Sequence, residues 1–276
     1  MNIPINLTKR QMIRLKSWTR LVMLAVLIVG IVVLLVLAGK RTKLTNEIEQ
    51  ARLAAEQAAA QAAAEAAALA EAEAAYWASL PDVDPDAWYL KLANFENPLD
   101  ADFIPEVEEI ENGQEFDVRA SQHLKDLMQA ARDAGYTVYF CSGYRSYEIQ
   151  HGLYWRHIDE FVAEGMTEAE AHKTTLLSVN YPGSSEHQLG LSADILEYAD
   201  QPMLPEIGGS GLMLWLEENC ANYGFIVRYP EDKTDITSIS YEPWHLRYVG
   251  REAAEYIMEN GICLEEFLIL YDRPRT

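Results

Sequence analysis

The chain has 276 residues, with 43 acidic against 22 basic side chains and a formal net charge of −21. That length bounds it to one or two domains. So acidic a balance excludes the usual nucleic-acid binder, which clusters Lys and Arg against phosphates. The charge is also divided: residues 1–43 hold eight Lys/Arg and no acid, and the remainder holds 14 bases against all 43 acids. The acidic part reads as a strongly solvated surface.

Residues 21–39, LVMLAVLIVGIVVLLVLAG, are nineteen consecutive uncharged and almost wholly apolar positions. A spanning helix needs about 20. A cleavable signal peptide has an apolar region of ~7–15 residues and a small-x-small cleavage site. This stretch is longer and no good site follows it, so it reads as a retained anchor. Lys9, Arg10, Arg14, Lys16 and Arg20 precede it, and Lys40, Arg41 and Lys43 follow. Five positive charges against three favour a cytoplasmic N-terminus and an external C-terminus. Residues 1–20 are then a basic cytoplasmic tail.

Residues 40–80 read as a helical stalk. Between Ala51 and Ala75, sixteen of twenty-five residues are Ala, with no Gly or Pro. Ala has the highest helix propensity, so this segment is helical without tertiary help. Self-association of the stalk is an open alternative, although heptads of large apolar residues are missing. Pro81 and Pro85 end the helix, and residues 81–276 form the globular domain.

Within that domain, 119–134 reads as an amphipathic helix closed by Gly135. Residues 136–141 read as a strand. Helices are predicted at 147–164 and after Thr167, where Thr167 and Glu170 have capping-box spacing. Short strands are predicted at 191–196, 224–228 and 241–244, and helices at 211–222 and 251–260. Helices and strands are interspersed without regular βαβ repeats, which predicts an α+β fold. Cys141, Cys220 and Cys263 lack metal-site spacing. Buried free thiols are the favoured reading, with a Cys220–Cys263 pair as the alternative in an external compartment.

The chemistry concentrates in Ser185-Glu186-His187-Gln188-Leu189-Gly190-Leu191-Ser192-Ala193-Asp194 and in Glu242-Pro243-Trp244-His245. Hydrolytic zinc sites take three ligands from His, Asp and Glu and leave a position for water. A carboxylate must then take the water's proton and return it to the leaving amine. His187, Asp194 and His245 can supply the ligands and Glu242 the base. The 187–194 spacing suits a turn at Gly190 leading into a strand, and Pro243 keeps Glu242 out of helix. A lone His is most often an ordinary surface or core residue. That reading holds for His123, His151, His157 and His172, which fall in helical patterns.

Ser185-x-His187-x-x-Gly190-x-x-x-Asp194 followed by Glu242-Pro243-Trp244-His245 resembles the signature of VanY-type zinc D,D-carboxypeptidases and the related LdcB-type L,D-carboxypeptidases. A third element is present in Ser142-Gly143-Tyr144-Arg145-Ser146, with Gln150 five residues after the arginine. Weaker similarity runs from about Trp88, through Asn97-Pro98-Leu99, to Glu266. One departure is Ser192, where the family usually has Ala.

The resemblance implies His187, Asp194 and His245 as ligands of one zinc ion and Glu242 as catalytic base. It implies Arg145 as a catalytic and substrate-binding residue, helped by Gln150 and Ser185; Tyr144 and Trp244 stand beside the motifs as cleft-lining candidates. Arg offers a planar, permanently charged fork for a terminal carboxylate, or a charge to stabilise the oxyanion. The expected fold is a compact zinc-peptidase domain with a small antiparallel sheet flanked by helices. The expected function is removal of the C-terminal D-alanine from peptidoglycan stem peptides by a single-pass membrane protein facing outward, in a bacterium of Gram-positive type. Alternatives are L,D-carboxypeptidase action on tetrapeptides and a non-catalytic peptidoglycan-binding protein. A serine-type enzyme would need Ser-x-x-Lys, and no serine has Lys three residues later.

Overall fold

Leu124, Leu127, Met128 and Ala131 recur at helical spacing along α2 (Ser121–Asp133), and all four are buried. This stripe is the one the sequence predicts, and it packs into the main core of a unit that begins at Pro81. A computed structural model describes residues 9–272, with side chains from residue 17. The chain divides between Leu80 and Pro81 into two units, each treated by itself.

The described part of the first unit is one unbroken helix, α1 (Lys9–Ser79). It carries the 21–39 stretch, which is long and apolar enough to cross a membrane by length and composition. Its large apolar side chains, from Leu21 to Leu37, are exposed. Such a surface needs lipid or partner contact rather than water. The lysines and arginines of residues 9–16 lie outside the described side chains.

The second unit has mixed helices and two small antiparallel sheets, the α+β class expected. A hairpin joins β1 (Val107–Glu111) to β2 (Gln114–Asp117). A four-stranded sheet of β3 (Tyr139–Ser142), β4 (Ser192–Leu196), β5 (Phe225–Val227) and β6 (His245–Tyr248) has the order β3-β4-β6-β5, antiparallel throughout. Side chains alternate across a strand. Ala193, Ile195, Leu246 and Tyr248 therefore enter the main core with α2 and α5 (Gly211–Asn219). Ser192, Asp194, His245 and Arg247 take the opposite face, and all are buried as well.

α3 (Tyr147–Ala163) and α4 (Glu168–Thr175) pack around Tyr154, Ile158 and Ala171. Both halves of the Thr167–Glu170 capping box form. α6 (Thr234–Thr237) is a single turn. α7 (Arg251–Asn260) and α8 (Leu264–Ile269) build a second apolar cluster with Leu90, Ile226 and Val249.

Three expectations need correction. The strand expected at 241–244 begins only at His245, because the preceding residues turn: His245 N–H donates to the Glu242 carbonyl at 3.1 Å. The strand expected from 136 starts at Tyr139, since Tyr136 N–H is taken by Ala131 O at the end of α2. The helix expected at 211–222 ends at Asn219 and tightens to a 3-10 turn, Cys220–Tyr223, closed by left-handed Gly224. All three cysteines are free thiols, two buried and Cys141 half-buried. Burial pushes Cys220 up to about 12 and Cys263 up to about 11.

Candidate metal centre

Strand register assembles the centre. β4 and β6 pair with Asp194 opposite His245, and directly opposed residues in antiparallel strands share a face. On the other edge of β4, Ser142 stands opposite Asp194. The chain leaving β3 therefore delivers Gly143, Tyr144 and Arg145 beside the same carboxylate.

His187 comes from a 3-10 turn, Glu186–Leu189, that ends in left-handed Gly190 (φ 71°). Gly190 also packs closely: a Cβ there would lie 3.3 Å from Asp117 N. The His187 carbonyl accepts from Arg145 N–H at 3.1 Å, and its Nδ1 donates to Gly143 O at 2.6 Å. This second bond leaves Nε2 facing the site. Gly143 must be glycine for a steric reason, because a Cβ would fall 2.1 Å from the Glu115 carbonyl oxygen.

His187, Asp194 and His245 each offer a ligand atom, all within 4.8 Å of one another and all buried. His187 Nε2 lies 3.3 Å from Asp194 Oδ2, and His245 Nδ1 lies 3.1 Å from Asp194 Oδ1. His187 Nε2 and Asp194 Oδ1 have no hydrogen-bond partner despite burial. Buried polar atoms normally find one. Two imidazoles and a carboxylate with orphaned donor atoms are what a divalent cation such as zinc requires.

Glu242 sits 3.6 Å from His245 Nδ1. Burial first, then the Asp194 charge, raises its carboxyl well above the usual range, opposed by Arg145. Burial alone would raise Asp194 too, but His187 and His245 outweigh it and hold that carboxyl below its ordinary value. Burial, with Arg145 nearby, holds His187 at about 4. Neutral imidazole is the form that binds metal.

Arg145 reaches 3.6 Å from Asp194 Oδ2, and its NH1 donates to Gln150 Oε1 at 3.0 Å. Gln150 Nε2 in turn donates to Asn180 O at 2.7 Å. Ser146 caps α3 through Ile149 N–H, which fixes the helix that carries Gln150. Arg145 Nε is buried and unpartnered. Ser185 is buried at the start of the His187 turn. Trp244 directly precedes His245 in the chain, and Tyr144 directly precedes Arg145. Trp244 is packed in the main core at 5% exposure, and Tyr144 has Glu148 and Glu115 as its charged neighbours. His123 and His151 are exposed and His157 and His172 half-buried, all on helices, and among the described residues none of them joins the His187–Asp194–His245 group.

Sequence reasoning missed Tyr229, whose ring centroid is 4.8 Å from that of His245. It also missed a buried ion cluster of Glu186, Arg228 and Arg247. The adjacency of Glu186 to His187 was the only local sign of it.

Fold and centre together define a metallopeptidase built on a small antiparallel sheet. The sequence model of the VanY family, described as D-alanyl-D-alanine carboxypeptidase, matches residues 113–251. A D-alanyl-D-alanine carboxypeptidase of Enterococcus faecalis (strain ATCC 700802 / V583) is 44% identical over 185 residues, covering 67% of each chain. The chain spans about half the length of three further curated relatives. The solved structure of VanYB in complex with D-alanine-D-alanine matches with a TM-score of 0.60 and 43% identity, covering 66% of this chain and 98% of that one. The LdcB LD-carboxypeptidase matches at 0.55 and 34%, covering 64% and 84%. A VanY D,D-pentapeptidase of a VanB-type resistance cassette, solved with Zn(II), matches at 0.60 and 44%, covering 66% and 99%. The chain belongs to the VanY D-alanyl-D-alanine carboxypeptidase family, and is a metallocarboxypeptidase.

Proposed function

We propose that the protein is a membrane-anchored, zinc-dependent D,D-carboxypeptidase that trims the C-terminal D-alanine from peptidoglycan stem peptides. The observation that carries this is the convergence of His187, Asp194 and His245, with His187 Nε2 and Asp194 Oδ1 unpartnered, beside the raised carboxyl of Glu242. The relatives supply the metal and the substrate: one VanY structure holds Zn(II) and another D-alanine-D-alanine.

His187 Nε2, Asp194 and His245 Nδ1 would hold the zinc, which when bound supplies a Lewis acid and makes water nucleophilic at neutral pH. Glu242 takes a proton from that water and returns it to the departing D-alanine amine. Its burial favours the protonated form needed for the second half of that exchange. Arg145, braced by Gln150, offers Nε to the peptide's terminal carboxylate or to the oxyanion. Ser185 completes the substrate side and Tyr144 flanks Arg145. Trp244, packed in the main core next to His245, stays a cleft-lining candidate on the substrate side.

Residues 1–20 are assigned to the cytoplasm, 21–39 to the membrane, 40–80 to a stalk and 81–276 to the external catalytic domain. The charge bias around 21–39 and the exposed apolar surface of α1 support this. The relatives in Enterococcus and Bacillus support a Gram-positive cell surface. Stalk self-association is compatible with an exposed Ala-rich helix.

The likeness to the LdcB enzyme favours L,D-carboxypeptidase activity as the second reading. The test is the full chain, purified in detergent with zinc and incubated with pentapeptide and tetrapeptide stems, read by mass spectrometry. Loss of one D-alanine from the pentapeptide supports the proposal. Cleavage of the tetrapeptide alone moves the enzyme to the L,D class. No cleavage with zinc bound removes the substrate assignment.

A further inference from the structure

The polar face of the sheet holds more charge than the metal centre uses. Glu186 and Arg247 are fully buried and Arg228 is 1% exposed. Glu186 Oε1 accepts from Arg228 Nε at 2.8 Å and stands 2.8 Å from Arg247 NH1. A buried ion pair is weak evidence for stability, because desolvation offsets its attraction and apolar replacements often do as well. Such a cluster calls for another reason.

Its connectivity supplies one. Glu186 immediately precedes His187 on the same 3-10 turn. Arg247 follows His245 by two residues on β6, and so shares its face. Arg228 leaves β5 and donates its backbone N–H to the His245 carbonyl at 3.1 Å. One carboxylate oxygen therefore ties the turn that carries one histidine to the strand segment that carries the other. Both guanidiniums are fixed at their far ends. Arg228 is bidentate on Glu265 of α8, at 2.9 and 2.6 Å. Arg247 NH2 donates to the carbonyls of Tyr89 and Lys91 at 3.0 and 2.8 Å. Two carboxylates balance two guanidiniums, so the cluster is neutral and rigid.

We infer that Glu186 is a positioning residue, which through Arg228 and Arg247 sets the separation of His187 and His245 for the metal. The inference rests on the reading that these histidines hold zinc. Register already places Asp194 against His245. No strand pairing reaches His187, whose turn is held by the Glu186 carboxylate and a few hydrogen bonds. Metal ligands need placing to within about 0.2 Å, and a misplacement of about 1 Å at a catalytic centre costs about 10²-fold.

Two variants of the full-length protein separate positioning from stability. Glu186→Gln keeps the side-chain volume and one acceptor oxygen. The triple variant Glu186→Leu, Arg228→Met, Arg247→Met replaces the three most deeply buried members of the cluster by apolar groups and leaves Glu265, which is partly exposed on α8, to be met by solvent; buried ion clusters in other proteins tolerate such an exchange. Three quantities are read: the melting temperature of the metal-free protein, the zinc dissociation constant by chelator competition, and kcat and KM separately. The expected result is zinc binding weakened at least tenfold and kcat lowered at least tenfold in both, with KM little changed. In the triple variant this occurs without any fall in melting temperature. Wild-type zinc affinity and kcat in a folded triple variant would overturn the inference. If the triple variant does not fold, Glu265→Gln, which frees only the outer end of Arg228, is read instead. Zinc affinity reduced at least threefold at unchanged melting temperature then supports positioning, and wild-type affinity overturns it. Failure of the underlying ligand reading would show differently, as wild-type protein whose zinc affinity is unaffected by His187→Ala.

Discussion

The two faces of the four-stranded sheet are equally dry but held together differently. On one, Ala193, Ile195, Leu246 and Tyr248 meet the apolar sides of α2 and α5. Burial there is favourable residue by residue, roughly 25 cal/mol per Å² of apolar surface. On the other, Ser192, Asp194, His245 and Arg247 alternate with them along the same strands. Each of those polar groups costs free energy unless a partner or a metal meets it. The difference teaches that the core face sets whether the unit folds, and the polar face sets what the folded unit can do. Substitutions on the two faces should therefore separate activity from stability.

The largest effect is expected at His187→Ala, with zinc content and turnover lost together while the metal-free protein still folds. Metal analysis beside an activity assay checks it, and retained zinc would break the polar-face half of the comparison. Next, Glu242→Ala should keep zinc and lose at least ~10²-fold in kcat; wild-type turnover would remove the base assignment. Leu246→Ala lies between His245 and Arg247 but points the other way. It should cost about 2–5 kcal/mol of stability, seen in denaturant melts, with kcat per folded molecule nearly unchanged. A large kcat loss there would show that the faces are not separable.

The smallest effect concerns Glu266, whose carboxylate accepts from Cys263 N–H at the start of α8 and pairs with Lys233 at 3.1 Å. Burial works against its charge, but the Cys263 N–H and Lys233 prevail and lower its carboxyl below 4.5. A depressed carboxyl stabilises the fold above its unfolded value and loses that contribution as pH falls through the folded one. Glu266→Gln should thus cost under about 1 kcal/mol at pH 7, as exposed pairs do. The difference from wild type should shrink on acidification below about pH 4.5, and an unchanged gap at pH 3 would refute it.

What was legible in the sequence was local. The 187–194 spacing across Gly190, and Glu242 three residues before His245, carry the centre because turn and strand chemistry are written over a few residues. α2 was legible through its apolar stripe, and α4 through its capping box. The β1–β2 hairpin was missed because Val107–Glu111 is acidic and half-exposed, with little strand propensity. Asn112-Gly113, at φ 58° and 71°, was the available signal, since Asn-Gly favours a two-residue hairpin turn. β6 was placed too early because Tyr241–Trp244 has the aromatic, Pro-containing look of an extended segment, and the turn depends on a hydrogen bond. The cluster at Glu186 was invisible for a different reason. Its partners lie 42 and 61 residues away in the chain, and only sheet order brings them together.

The unequal burial of the three thiols has a practical consequence. Cys220 is shut inside the main apolar core and Cys263 is buried at the start of α8, whereas Cys141 is half-buried on β3; burial raises all three thiols, and at Cys141 the Asp194 charge adds to it while Arg145 opposes it. A thiol-reactive dye added to the native enzyme should therefore mark Cys141 first, because it is the most exposed of the three. The protein carries its own attachment point for an optical reporter of metal loading and substrate arrival, with no engineered cysteine required.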